Sequence, residues 1–149
     1  MATLGIDIGC ISVKIAVVGG PEDRELFQKL ASQSALFYTP LGEGRVFPDP
    51  NSPPVLATAY RRIKGSPTEA TRELLSRVLA ALPPGLVTGA RVTGTGGRLV
   101  GQLLNIPYEN EFKAIARAVG KLHPDVRTVF EMGGETSKFI RLETDVASG

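Results

Sequence analysis

Apolar and polar residues alternate along two short segments near the start of the chain, residues 4–8 and 13–18. A period of two is typical of a β-strand that turns one face towards a core and the other away from it. The four residues between the segments, 9–12, are few enough for a tight turn. The pattern therefore predicts an antiparallel β-hairpin at the start of the chain.

Residues 66–82 have the pattern of a helix with both ends marked. Ser66 is a natural N-cap, and Pro67 suits the first helical position. Apolar residues then recur at helical spacing up to Leu82, where a Pro-Pro-Gly run follows and ends the helix. This segment is the best-supported helix in the sequence.

Weaker patterns fill the rest of the chain. Residues 21–39 suit a strand or a short helix, whereas residues 40–54 contain five prolines and predict a loop. The other predicted elements are strands at 55–63, 89–93, 126–132 and 138–142, a helix at 98–104, and a helix from 109 or 110 to about 123. A strand meander followed by alternating helices and strands predicts an α/β fold with a mixed sheet and an antiparallel N-terminal meander.

The last two predicted strands form a hairpin with no further element after it. An isolated hairpin is only marginally stable in water. We therefore expect a first domain over residues 1–125, with a loop-rich insertion at about 21–54, and the opening hairpin of a second domain over residues 126–149. On this interpretation the chain is the N-terminal portion of a longer protein.

Composition excludes several classes of function. Seventeen basic and fifteen acidic side chains leave a net charge of +2, which does not indicate a nucleic-acid partner. No apolar run approaches the roughly 18–20 residues that span a bilayer, and we expect neither a membrane segment nor a signal peptide. A single cysteine, Cys10, cannot form an internal disulfide, so we expect a reducing, cytoplasmic setting.

Two segments of the chain repeat one pattern, DIGCISVK at residues 7–14 and EMGGETSK at residues 131–138. Each begins with an acid, has glycine two residues later and ends with a lysine seven residues after the acid. Glycine turns expose backbone N–H groups that can surround phosphate oxygens. A carboxylate can hold Mg²⁺ through water, and lysine adds a positive charge. Two such hairpins facing each other would hold a triphosphate from both sides.

The two hairpins together resemble those of the actin-like, sugar-kinase-like and Hsp70-like ATPase superfamily. Within it, the chain resembles the BadF/BadG/BcrA/BcrD ATPases, which activate 2-hydroxyacyl-CoA dehydratases and benzoyl-CoA reductases. The likeness rests on GIDIGCISVK at 5–14, TGTGGR at 93–98 and the segment 110–138. It implies a ribonuclease-H-like, actin-like domain and the N-terminal part of an ATP-hydrolysing activator with a CoA-ester dehydratase or reductase as its partner.

The resemblance also implies roles for individual residues. Asp7 would lie near Mg²⁺ and the terminal phosphates of ATP and would act in catalysis together with Glu131. Lys14 and Lys138 would follow the two phosphate loops, although Lys14 could equally be a solvated edge residue. The loops would consist of Gly9, Cys10, Ile11 and Ser12 and of Gly133, Gly134, Glu135, Thr136 and Ser137.

Three positions depart from the family pattern. Glu131 replaces aspartate, and Cys10 and Ile11 replace small hydroxyl residues, although the backbone donors of the loop remain. The family's cluster-binding cysteines lie beyond the second phosphate loop, and one cysteine per chain gives a dimer too few thiolates for a [4Fe–4S] cluster. We therefore expect ATP and Mg²⁺ as ligands, no iron–sulfur cluster, and weak or no nucleotide binding by this chain alone.

Two other functions stay open on the sequence. A small-molecule kinase of the acetate or sugar type belongs to the same superfamily, and its substrate residues would be sought in residues 21–54. Alternatively, the unpaired closing hairpin offers strand edges to another chain, which would suit a non-catalytic assembly module or a homodimer. We interpret Cys10 as a small turn residue and His123 as a structural residue at a helix end.

Overall fold

The computed structural model describes residues 1–40 and 52–143. The predicted proline-rich loop therefore lies mostly outside the described residues, as does the end of the chain from residue 144. In chain order the elements are β1 (Ala2–Ile8), β2 (Ser12–Val18), a 3₁₀ turn (Pro21–Asp23), α1 (Arg24–Gln33), β3 (Phe37–Tyr38), β4 (Val55–Thr58), β5 (Arg61–Arg62), α2 (Pro67–Ala81), β6 (Val87–Thr93), α3 (Gly97–Leu104), α4 (Glu111–Leu122), β7 (Thr128–Met132) and β8 (Ser137–Arg141).

The larger sheet is mixed. Its strand order is β3-β4-β2-β1-β6, and β5 also pairs with β2. β1, β2 and β4 form the predicted antiparallel meander, whereas β6 runs parallel to β1. A parallel neighbour needs a crossover connection, and α2 supplies it before β6. The predicted α/β class, mixed sheet and antiparallel meander are confirmed.

One face of this sheet carries the hydrophobic core. Alternate residues of β1 and β2 are buried, as their sequence pattern predicts, and Phe27, Leu74, Val78 and Val100 from the first three helices pack into the same cluster. Complete burial of each such side chain contributes roughly 1.5–3 kcal/mol. The intervening residues of β1 and β2 consequently project from the opposite face of the sheet, and Asp7 is one of them.

The segments of weaker pattern differ from their predictions in detail. Residues 21–39 contain both a helix and a short strand, because Phe27 of α1 and Phe37 of β3 each enter the core. The predicted single strand at 55–63 is wrong: it is divided into β4 and β5. At the division the buried Thr58 hydroxyl accepts a hydrogen bond of 3.0 Å from the Ile15 N–H. β6 begins two residues earlier than predicted.

The closing hairpin is a separate two-stranded sheet, β7–β8, with which no other strand of the described residues pairs. Its inner face carries Ile140, which is buried, whereas Phe130 and Phe139 on its outer face are 71% and 62% exposed. These two rings contact each other edge to face, with centroids 5.1 Å apart. The proposed boundary between two domains at residue 125 stays a prediction.

Candidate functional site

The opening hairpin places the predicted acid and base opposite each other. Asp7 on β1 and Lys14 on β2 are partners across the antiparallel ladder. The turn between the strands is closed by the Gly9 N–H, which donates a hydrogen bond of 2.9 Å to the Ser12 carbonyl. Among the described residues, the Asp7 carboxylate has no hydrogen bond or ion pair.

The closing hairpin repeats this geometry. Glu131 and Lys138 are partners across the β7–β8 ladder, in the same relation to their turn as Asp7 and Lys14. The Gly133 N–H donates a hydrogen bond of 2.9 Å to the Thr136 carbonyl, as Gly9 does to Ser12. The repeated pattern in the sequence is therefore also a repeat in backbone register and turn geometry.

The two glycine turns meet across one cleft of about 280 Å³. Their contact is close, because a Cβ atom added to Gly134 would lie 2.6 Å from the Ile11 Cδ1 atom. Ser137 does not line this cleft; it lies on the outer face of β8, opposite Met132. The predicted site residues that line the cleft are Asp7, Gly9, Cys10, Ile11, Ser12, Lys14, Glu131, Gly133, Gly134, Glu135, Thr136 and Lys138.

Several further residues line the cleft beyond those of the two glycine hairpins. Thr95 comes from the TGTGGR turn, Glu111 from the start of α4, and Tyr60 and Arg62 from the region of β5. In the sequence, the glycine-rich turn indicates the position of Thr95, and the N-cap of α4 indicates that of Glu111. Tyr60 and Arg62 reach the cleft only because β5 pairs with β2, and no local pattern indicates that pairing.

A three-residue ion-pair network ties the closing hairpin to α4. The Lys138 Nζ atom lies 2.7 Å from Glu131 Oε2 and 3.2 Å from Glu111 Oε1, and its side chain is 12% exposed. Asn110 fixes the start of α4, since its side chain accepts hydrogen bonds from the backbone N–H groups of Phe112 and Lys113. The hydrogen bond to Glu131 and the nearby Glu111 raise the pKa of Lys138 above its ordinary value, whereas burial opposes this shift.

We expect the Lys138→Met variant to lose about 1–2 kcal/mol of unfolding free energy near neutral pH, because two carboxylates lose their shared donor. The raised pKa of Lys138 makes its stabilisation complete below the ordinary value of 10.5 and progressively lost as the pH rises through the folded-state pKa. Urea unfolding from pH 7 upwards measures the difference in unfolding free energy between wild type and the variant. This difference should narrow only above pH 10.5. The matched control is Lys113→Met on the exposed side of α4, and equal losses in the two variants would contradict the network.

Asp7 lies in a different environment from Glu131. Its half-burial raises the pKa of its carboxyl above the ordinary value; Lys14 opposes the shift, and Glu111 and Glu131 add to it. Asp7 is also the ladder partner of Thr93 on β6, whose buried hydroxyl has no hydrogen-bond partner in the part of the chain that the structure describes. The end of β1 thus brings together a carboxylate and a hydroxyl that have no hydrogen-bond partner among the described residues.

The acidic side chains of the cleft limit how Mg²⁺ could be held. Within residues 1–40 and 52–143, no group of three or more His, Cys, Asp or Glu side chains is arranged to hold a metal ion. Glu111 and Glu131 both pair with Lys138, whereas neither the half-buried Asp7 nor the exposed Glu135 makes an ion pair among the described residues. One carboxylate suits the predicted contact with a hydrated Mg²⁺ ion, which keeps much of its water shell.

Comparison with known proteins adds no family name. No protein-family model matches the chain, and no curated protein matches it. No helix in the described residues is long and apolar enough to cross a membrane. A functional proposal therefore rests on the residues of the cleft and on their geometry.

Proposed function

We propose that the cleft binds the phosphates of a Mg²⁺-bound nucleotide and that the chain is the phosphate-binding portion of an ATPase. One observation carries this proposal. Two hairpins with the same acid–lysine register and the same glycine turn meet across a single cleft. A single glycine hairpin is common in proteins, but two matched turns in contact favour a ligand with charged oxygens on both sides.

The chemistry assigned to the cleft follows from its partners. Backbone N–H groups of the two turns would donate to phosphate oxygens, and the exposed Lys14 would add a point charge. Asp7 would hold water of a hydrated Mg²⁺ ion, which supplies charge neutralisation when bound. Glu131, paired with Lys138, would orient water near the terminal phosphate. Catalysis would come mainly from positioning and electrostatics, as in other phosphoryl transfers.

The wider assignment follows from the resemblance. We propose a ribonuclease-H-like, actin-like domain of the BadF/BadG/BcrA/BcrD type, because the antiparallel meander followed by a parallel strand supports that topology. In this proposal ATP hydrolysis drives electron transfer into a CoA-ester dehydratase or reductase partner in the cytoplasm. The described residues include one cysteine, Cys10, which is exposed and free. We therefore assign no iron–sulfur cluster to this chain.

A titration with Mg·ATP tests the phosphate site. We expect weak binding, with a dissociation constant of about 1 mM, because the cleft has room for phosphates and offers little apolar surface for a base. Two-dimensional NMR should show its largest shifts at the amides of residues 9–14 and 131–138. The Lys14→Ala variant should weaken binding by roughly tenfold, since it removes a charge from the phosphates.

Two controls define the outcome of this titration. Lys29→Ala, on the exposed side of α1, should leave the binding unchanged. Tripolyphosphate with Mg²⁺ should shift the same amides, because the phosphates are the recognised group. The proposal fails if Mg·ATP shifts no cleft amide at about 10 mM or if the two lysine variants bind equally well. Micromolar affinity would instead contradict the expectation of weak binding by this chain alone.

A further inference from the structure

We propose that Arg62 is a phosphate-binding residue of the same cleft and provides its bidentate donor. This inference rests on the proposed function and deepens it. The residue follows the third strand of the meander, outside both glycine hairpins, and neither hairpin pattern includes it.

Strand pairing places Arg62 beside the first glycine turn. β5 pairs with β2, and Arg62 is the ladder partner of Ser12. The Ile63 N–H donates a hydrogen bond of 2.9 Å to the Ile11 carbonyl, which fixes β5 against the turn. Partners across a ladder share a face, and so do residues two apart in a strand. Arg62 therefore projects on the same face of the sheet as Ser12 and Lys14, and it lines the cleft.

The charge distribution leaves Arg62 available to a ligand. Lys138 is held by Glu131 and Glu111, as described above. Neighbouring Arg61 alternates to the other face and pairs with Glu73 at 2.7 Å. Among the described residues Arg62 makes neither a hydrogen bond nor an ion pair.

Within the described residues, two cations of the cleft make no hydrogen bond or ion pair and are therefore free to meet an anion. They are Lys14 and Arg62, and both lie at the first turn. This turn carries Cys10 and Ile11, which have no hydroxyl to donate to phosphate. A planar guanidinium can donate two parallel hydrogen bonds to one phosphate group, whereas an ammonium acts as a point charge. Arg62 thus adds side-chain donors at a turn in which Ser12 supplies the one hydroxyl.

The experiment compares Arg62→Gln, Arg62→Lys and Arg61→Gln by NMR titration with Mg·ATP and with Mg²⁺ plus tripolyphosphate at low salt. We expect Arg62→Gln to weaken the binding of both ligands by about tenfold. Arg62→Lys should restore part of the loss, because lysine keeps the positive charge but cannot donate two parallel hydrogen bonds. Arg61→Gln removes the paired neighbour and should bind as wild type does. Circular dichroism establishes that each variant is folded.

The outcomes separate this inference from the proposed function. If wild type binds and Lys14→Ala weakens binding while Arg62→Gln binds normally, the phosphate site stands and the role of Arg62 is refuted. If Arg61→Gln and Arg62→Gln lose affinity equally, the effect is one of net charge, and the bidentate role is refuted. If wild type binds neither ligand, the proposed function fails, and Arg62 has no phosphate to bind.

Discussion

Replacing Gly94 by alanine is expected to destabilise the protein by about 4 kcal/mol, a loss that few single substitutions cause. Gly94 begins the turn after β6 with a φ angle of +89°, which residues with a side chain rarely adopt. A Cβ atom at this position would collide with the Ile8 carbonyl oxygen and would lie 2.6 Å from Asp7 Oδ1. The Ile8 carbonyl is backbone of β1, which is paired on both sides by β2 and β6, so it cannot move aside cheaply.

The matched control is Gly85→Ala. Gly85 also has a positive φ, +78°, but nothing lies within 4 Å of an added Cβ. The backbone conformation alone should cost about 1 kcal/mol there. Urea unfolding followed by circular dichroism gives both losses, and their difference measures the collision with β1. Similar losses of unfolding free energy at the two positions would mean that an added Cβ at Gly94 does not collide with the end of β1.

The turn that begins at Gly94 also lies against the candidate site. The Gly96 N–H donates a hydrogen bond of 2.8 Å to the Ile8 carbonyl, so the glycine turn is fixed directly against the end of β1. The Asp7 carboxylate lies beside Gly94, and Thr95 lines the cleft. The TGTGG segment thus has a structural reason for its glycines that does not require it to bind phosphate itself. Glycine at this turn allows the backbone after β6 to pack directly against the Asp7 carboxylate.

The sequence predicts the parts of the fold that depend on local spacing. The alternation in β1 and β2 sets their register, because a slip of one residue would turn every apolar side chain away from the core. Ser66 and Asn110 cap their helices with side-chain oxygens, as their positions before apolar runs indicate. The seven-residue spacing of Asp7 and Lys14 likewise becomes a cross-strand pair once the turn between them is tight.

Other features depend on contacts between distant segments, and no local pattern contains them. At the division between β4 and β5 the Thr58 hydroxyl meets the Ile15 N–H, 43 residues earlier in the chain. The position of Arg62 beside Ser12 depends on the pairing of β5 with β2. The ion pair between Lys138 and Glu111 depends on how α4 packs against the closing hairpin. The sequence therefore predicted the charged residues of the two hairpins, but it predicted neither Arg62 nor which charges of the cleft are already paired.

The Asp7→Asn variant is expected to lose Mg²⁺-dependent ATP binding, by at least about tenfold, and to unfold at a higher urea concentration than wild type at pH 7. The two expectations have one cause. The carboxylate is half-buried without a partner in the described residues, so its charge is unfavourable to the fold and available to a hydrated cation. Asparagine keeps the shape of the side chain and removes the charge. A gain in stability accompanied by a loss of binding distinguishes a ligand-binding carboxylate from one that stabilises its own turn.

The pH dependence of this gain has a definite sign. Burial raises the pKa of Asp7 in the folded state above its ordinary value of 3.8. At lower pH the carboxyl is protonated in both states, and the variant and wild type should be equally stable. As the pH rises from 3.8 through the folded-state pKa, the unfolded state releases its proton first, and wild type falls below the variant. Above the folded-state pKa the difference in unfolding free energy between the variant and wild type should stay constant.

Urea unfolding between pH 3 and pH 8 measures the gap, and the NMR titration with Mg·ATP measures the binding. The matched control is Asp125→Asn, because Asp125 is exposed between α4 and β7 and should change neither property. A less stable Asp7→Asn variant at neutral pH would mean that the carboxylate supports the hairpin rather than a ligand. Retained Mg²⁺-dependent binding in a folded Asp7→Asn variant would remove Asp7 from the metal site, because no other carboxylate of the cleft on the first hairpin could replace it.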